Sequence, residues 1–341
     1  MKKETKILAT TLIVVTLVIS FGIVLYLNQI QDKETLVIST TTSLYDTGVL
    51  DVLKESYEVE NPDTLLAFIS AGTGIAITHA MNGDADLILV HSPSQEWTFM
   101  NETYGVNRKI FAYNFFAIVG PATDPSGIST LDPIEALQAI YSYGHATNSS
   151  LWVSRDDRSG TNSKEIALWE EAGYNYSTIN GEGWLLSSGS GMGTTLQLAD
   201  ELQLYTLSDV GTFLKYKTDG LIELENLVGA GESLLNVYSA IAVNESKVAG
   251  VQFNLAMEFI QWLAGDSAQS IIGDFGQSEY GQSLFNPSAE IIETQVPAQT
   301  FDWIRSSAFF EFEGTLYECP PLWRTGQFNL YPMAALSSSS E

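Results

Sequence analysis

The chain has 341 residues, of which 41 are Asp or Glu and 15 are Lys or Arg, a formal charge of −26. So acidic a surface repels nucleic acid and anionic lipid, which excludes both as partners. The length exceeds one ordinary domain, 45% apolar and 11% aromatic residues suffice for buried cores, and the single cysteine, Cys319, excludes an intrachain disulfide.

The chain opens with Lys2, Lys3 and Lys6, followed by an apolar run from Ile7 to Tyr26. About 20 apolar residues suffice to cross a bilayer as a helix. The run ends in Tyr26-Leu27-Asn28-Gln29, without a small-residue cleavage pattern or a lipid-accepting cysteine. An uncleaved anchor is therefore expected, with its lysines cytoplasmic and the body outside; the alternative is secretion after signal cleavage. N-x-[ST] sequons at Asn101, Asn148, Asn175 and Asn244 fit an exported body.

From Thr35 the pattern alternates strand and helix. Strands are predicted at Leu36 to Ser39, Leu65 to Ser70 and Ala85 to Val90, and helices at Val49 to Glu58, Ile75 to Asn82 and Ser94 to Thr103. Such alternation predicts a parallel sheet covered by helices, with ligands outside the carboxyl ends of its strands. Two polar loops fall there, Ser39 to Gly48 and Ala71 to Gly74. Ile110 to Gly120 and Val237 to Asn244 are extended runs that bracket the middle of the chain, as two crossings into a second lobe would. Within that middle, Pro133 to Tyr141, Asn162 to Glu171 and Thr194 to Leu202 read as helices, and Leu151 to Val153 and Leu204 to Leu207 as strands. Val251 to Ala264 and Ala268 to Phe275 read as helices that complete the first lobe.

Val153 to Thr161 is a third strand–loop–helix junction. A helix start presents unpaired N–H groups and the positive end of the macrodipole. Ser159 and Thr161 add hydroxyls, and Arg155 a planar charge. In isolation Ser159 reads as an N-cap and Arg155 beside an aspartate as a surface pair. Three such loops in one chain point instead to one polyvalent oxyanion site. It has donors but no paired acid and base, nucleophile or metal ligands, so no enzyme is expected. His79, His91 and His145 show no zinc-ligand spacing; His91 could approach the cleft but reads as a packed or capping residue.

Thr40-Thr41-Thr42-Ser43 with Asp46-Thr47-Gly48, Gly72-Thr73-Gly74, Asn82 to His91, Tyr104 to Arg108, Tyr113 to Pro121 and the Val153 to Thr161 loop resemble, in order, the tungstate-binding proteins of tungstate ABC transporters. Gly191 to Leu196, Tyr205 to Asp209 and Asn236 to Asn244 continue the resemblance, which spans roughly Thr35 to Pro287. It implies an α/β, two-lobed, type II periplasmic-binding-protein (Venus-flytrap) fold with two interlobe crossings, here behind an N-terminal transmembrane anchor helix. The divisions expected are residues 1–34, anchor and linker; 35–118, first part of lobe 1; 119–238, lobe 2; 239–288, second part of lobe 1; and 289–341, an extension of unknown role. That extension is too aromatic for a disordered tail and should pack on the body or on a partner.

The resemblance implies an extracytoplasmic solute-binding protein, monomeric and without a cofactor, that hands tungstate to an ABC permease. Molybdate, sulfate or phosphate binding, or an anchored oxyanion sensor ectodomain, are the alternatives. The expected ligands are Thr41, Thr42, Ser43, Gly72, Thr73, Arg155, Ser159, Gly160 and Thr161, with Thr47 supporting. The loop around Arg155 also resembles the Arg-x-Asp-x-Ser-Gly-Thr motif of phosphate-binding proteins, which implies that Asp157 orients Arg155. No carboxylate lies in the Thr40 to Ser43 or Gly72 to Gly74 loops, which favours a fully deprotonated anion. Asp46 is expected to cap the helix at Val49. Arg158 is a second charge at the mouth or a partner of Asp156. Gly189 to Gly193 is either a turn needing positive φ or a ligand contact.

Overall fold

The computed structural model describes residues 33–147, 149–229, 231–326 and 330–331. The expected anchor, residues 7–26, lies outside them; among the described residues no helix is long and apolar enough to cross a membrane.

Nine strands carry the architecture: β1 (Glu34–Thr41), β2 (Thr64–Ala71), β3 (Leu87–Val90), β4 (Gly105–Gly120), β5 (Trp152–Ser154), β6 (Leu185–Ser187), β7 (Tyr205–Asp209), β8 (Glu225–Val228) and β9 (Leu235–Val243). Their order is β2-β1-β3-β9-β4-β7-β5-β6, with β8 pairing β4 off that path. β1, β2 and β3 are parallel, as the alternation predicts. β9 runs antiparallel to both β3 and β4, so the sheet is mixed rather than parallel. The departure arises because β4 and β9 are the crossings, and each must leave one lobe as the other returns.

β4 belongs to both lobes. Gly105 to Phe115 pair with β9, and Phe116 to Val119 pair with β7. The change of partner at Phe115/Phe116 is the first crossing, and the start of β9 at Leu235 is the second. All four residues of β3 are buried, the continuous apolar run of a strand covered on both faces. One core, with Leu36, Leu53, Tyr57 and Phe259, fills a face of the lobe 1 sheet, and another, with Trp152, Trp169 and Tyr205, fills lobe 2. The helix Val210–Thr218, N-capped by Asp209, was not legible in the sequence and packs at the lobe boundary, where Gly211 meets the Thr47 methyl.

The aromatic extension packs on the body. Helices Ala289–Thr294 and Ala298–Ala308 lay Ile292, Ile304 and Ala308 against Ile110, Leu235 and Val237 of the crossing strands. Beyond them Glu318 accepts from Lys109 Nζ (3.0 Å) and the Ile110 N–H (2.6 Å), all buried. Arg108 donates to the Glu318 carbonyl (2.7 Å) and to Glu96 Oε2 (2.8 Å), with the Phe310 ring 4.6 Å from its guanidinium.

Candidate functional site

Three helix starts face the boundary between the lobes. Thr41 ends β1 and caps the short helix Thr42–Asp46, its Oγ1 accepting from the Leu44 N–H at 3.3 Å. Thr42 is partly exposed, Ser43 is buried, and Thr40 is turned away, donating to the Leu89 carbonyl. Gly72 precedes the helix Thr73–Asn82, and Thr73 is wholly buried with no partner for its hydroxyl. An unpaired buried hydroxyl is costly unless something arrives to meet it. Gly74, next in the chain, faces Gln95 and the carbonyl of Arg158 in lobe 2.

From lobe 2, Ser159 caps the helix Gly160–Glu171, its Oγ accepting from the Asn162 N–H at 3.2 Å. Arg155 is 2% exposed. Its Nε and NH2 donate to Asp157 Oδ2 (3.1 and 2.5 Å), and its NH1 to Thr161 Oγ1 (3.4 Å). Asp157 Oδ1 accepts from the Ser159 N–H (3.1 Å), so one carboxylate ties the guanidinium to the start of the helix. Behind this loop Glu165 is buried, accepting from Trp152 Nε1 and Ser154 Oγ at 2.7 Å each; burial pushes its carboxyl up to about 7.

The lobes meet at His91 and Gly160. A β-carbon on Gly160 would lie 2.9 Å from His91 Cε1, closer than side chains tolerate, so only glycine fits there. His91 Nε2 is 3.3 Å from Ser43 Oγ, and its Nδ1 is 2.8 Å from Asn236 Oδ1 on β9. Its ring stacks on Tyr238 at 4.9 Å. Burial lowers its pKa to about 4, with the Arg155 charge adding to the effect. Gln95 Nε2 donates to Ser163 Oγ across the same boundary (2.9 Å). A cavity of about 210 Å³, lined in part by His91, Phe116, Gly160, Lys164 and Asn236, opens beside these contacts. The lobes are therefore closed on one another.

One reading of an individual residue changes, and two others narrow to one of their alternatives. Asp46 does not cap the helix at Val49; Thr47 Oγ1 accepts from the Val49 N–H (3.4 Å) and donates to the Leu44 carbonyl (2.7 Å). Asp46 instead lies near Arg155 and Lys215; burial raises its pKa, and those two cations oppose the rise. Arg158 does not pair with Asp156, whose carboxylate accepts from Ser187 and Asn180, and its own side chain is exposed. Gly189 has φ +58, so the Gly189 to Gly193 segment includes the positive-φ turn that was one of its two readings; Ser188 before it donates to the Arg155 carbonyl (3.4 Å) and lies 2.7 Å from Thr195 Oγ1. His91, expected as a packed residue that could approach the cleft, is both buried and at the lobe boundary; Asn236 and Asn114 were not singled out, and no local pattern marks them.

Chemically the set offers hydroxyls, helix-start amides and a guanidinium, and it suits holding an oxyanion. Ser43, His91 and Asn236 stand in the order nucleophile, base and orienting group. A histidine depressed to about 4 is too weak a base for that work near neutral pH.

Residues 28–267 match the PBP superfamily domain. A Haloferax volcanii protein named for anion binding in an ABC transporter is 42% identical over 257 residues, covering 74% of this chain and 72% of that one. The tungstate-binding protein TupA of Peptoclostridium acidaminophilum is 37% identical over 260 residues, 76% of this chain and 87% of its own. Among solved structures, the tungstate-binding protein TupA of Desulfovibrio alaskensis superposes with a TM-score of 0.63 at 36% identity, covering 74% of this chain and 98% of its own. With donor loops from both lobes closing on one boundary, and with these relatives, the chain belongs to the PBP superfamily of solute-binding proteins.

Proposed function

We propose that this chain is the extracytoplasmic protein that captures tungstate and delivers it to an ABC permease. The observation that carries the reading is Arg155: a buried guanidinium, oriented by Asp157 and set at a helix start, against which the other lobe closes. Its donors suit an anion that keeps no proton. Thr41, Thr42, Ser43, Gly72 and Thr73 supply the ligands of lobe 1, and Arg155, Ser159, Gly160 and Thr161 those of lobe 2. Asp157 and Thr47 hold them in place. The binding body sits outside the cell, tethered by the apolar segment 7–26, and works as a monomer.

Closure of the two lobes buries the anion and makes a shape the permease can read. The long-range repulsion from a charge of −26 is screened within about 8 Å at physiological salt, so local donors decide affinity. A protonated oxyanion such as hydrogenphosphate is the second reading, favoured by Asp46, a carboxyl group near Arg155 able to share that proton. A thermal-shift panel of tungstate, molybdate, sulfate, phosphate and chromate separates them. Tungstate should raise the melting temperature most; a shift with phosphate and none with tungstate rejects the primary reading.

A further inference from the structure

The hydrogen bonds of His91 have a direction that can be assigned from a backbone carbonyl. Asn114 Nδ2 donates to the Leu284 carbonyl (3.3 Å), which turns Asn114 Oδ1 toward Asn236. Asn236 Nδ2 donates to that oxygen (2.8 Å) and to the Tyr238 hydroxyl (2.8 Å), which turns Asn236 Oδ1 toward His91. Only a protonated Nδ1 can satisfy that oxygen, so the neutral imidazole carries its proton on Nδ1 and bares a lone pair at Nε2. The Nε2 partner is Ser43 Oγ, which must then point its single proton at the histidine. With its proton so placed, Ser43 offers only lone pairs to any other neighbour, the wrong polarity for an anion.

Charge gives the same result independently. Arg155 and Asp157 form a pair with no net charge and Lys164 lines the adjoining cavity, so a dianion entering between the lobes brings at least one uncompensated charge into a place where water screens it poorly. The titratable and charged groups around the imidazole are Arg155 and Lys164 from lobe 2, Tyr238 from β9 and, beyond that ring, Asp209. Asp209 has both oxygens engaged by Thr212. Of the groups that touch the donor loops, His91 can gain a positive charge.

We infer that His91 is a positioning residue that takes up one proton as the dianion binds, reversing the Ser43 hydrogen bond so that Nε2–H donates to Ser43 Oγ and the Ser43 proton turns to the ligand. The atoms balance: the proton comes from solvent, no covalent bond to the ligand forms, and the protein gains one charge against the anion's two. The inference rests on the oxyanion reading above. It makes anion capture proton-linked, so affinity tightens as pH falls through the window in which the liganded protein holds a proton that the empty one does not.

Calorimetry of tungstate binding in two buffers of different ionisation enthalpy, near neutral pH, counts the protons directly. The wild type should take up about one proton per anion, and its Kd should change by up to tenfold per pH unit between about pH 8 and pH 6. His91→Gln can still accept from Ser43 but cannot become cationic; its uptake should fall to zero and its pH slope flatten. Because that variant could fail to fold, the wild type is also read by imidazole nitrogen shifts. Only His79, His91 and His145 contribute. His91 should appear as the neutral Nδ1–H tautomer when empty and as the cation with tungstate. Tungstate binding without proton uptake, or a neutral His91 in the complex, overturns this inference and leaves the tungstate reading standing. Binding of none of the oxyanions overturns both.

Discussion

Removing the Arg155 side chain is the most direct test of the site. Arg155→Ala deletes the buried guanidinium of the donor loops and leaves Asp157 Oδ2 without both of the bonds it accepts from Arg155. Each charge-assisted hydrogen bond to an anion contributes about 1.5–3 kcal/mol. Two such bonds make a loss of about 3–6 kcal/mol, and the freed Asp157 charge adds repulsion toward the dianion. At 1.4 kcal/mol per decade the dissociation constant should rise by about a hundredfold to ten-thousandfold. Arg155→Lys keeps the charge but not the planar fork that Asp157 holds, and should fall between, at about tenfold to a hundredfold. Isothermal calorimetry at fixed ionic strength reads both, after far-ultraviolet dichroism has shown that each variant is folded. An Arg155→Ala protein that binds tungstate within about twofold of wild type refutes the assignment, since no energy of this size would then pass through the guanidinium.

Gly160→Ala places a methyl 2.9 Å from the His91 ring, so the lobes cannot meet as they do; overpacking of that kind costs about 1–3 kcal/mol, and small-angle scattering should show a particle that stays expanded at saturating tungstate. Ser159→Ala removes the cap of the Gly160–Glu171 helix and should lower stability to urea by about 1 kcal/mol. Glu165 titrates at about 7 in the folded protein against a usual 4.5, so between those values the folded state holds a proton that the unfolded chain has released. Stability should therefore fall as pH rises through that window, and Glu165→Gln should be flat there; identical pH profiles would contradict the burial argument. Glu318→Ala leaves Lys109 buried without its ion partner and should cost about 3–5 kcal/mol in denaturant unfolding, a measure of how firmly the extension is tied to β4.

Much of this protein is local, and what is local could be read from the chain. Apolar runs of strand length ending in Ser, Thr and Gly before a helical pattern marked β1, β2 and β5, and each of them stops at a donor loop. Ser159 was legible as a cap because its partner, the Asn162 N–H, is three residues away. Asp157 and Arg155 are two residues apart, so a motif could carry their pairing. Capping at Val49 was expected of Asp46, but Gly48 takes the N-cap position and the Val49 N–H goes to Thr47 Oγ1.

The remainder came from contacts between residues far apart. Ser43, His91, Asn236, Asn114 and Leu284 form one polar chain whose links span 48, 145, 122 and 170 residues. No periodicity encodes such a chain, because each link exists only once two strands cross between lobes and bring their side chains to the same depth. The same crossing turned an expected parallel sheet into a mixed one and gave the extension its seat on Ile110 and Val237. The amino-acid sequence alone determined where donors lie along the chain, because a helix start and its cap are settled within four residues. The tertiary structure alone decided which way their protons point, because hydrogen-bond direction in a dry interior is set by whatever distant partner closes the network.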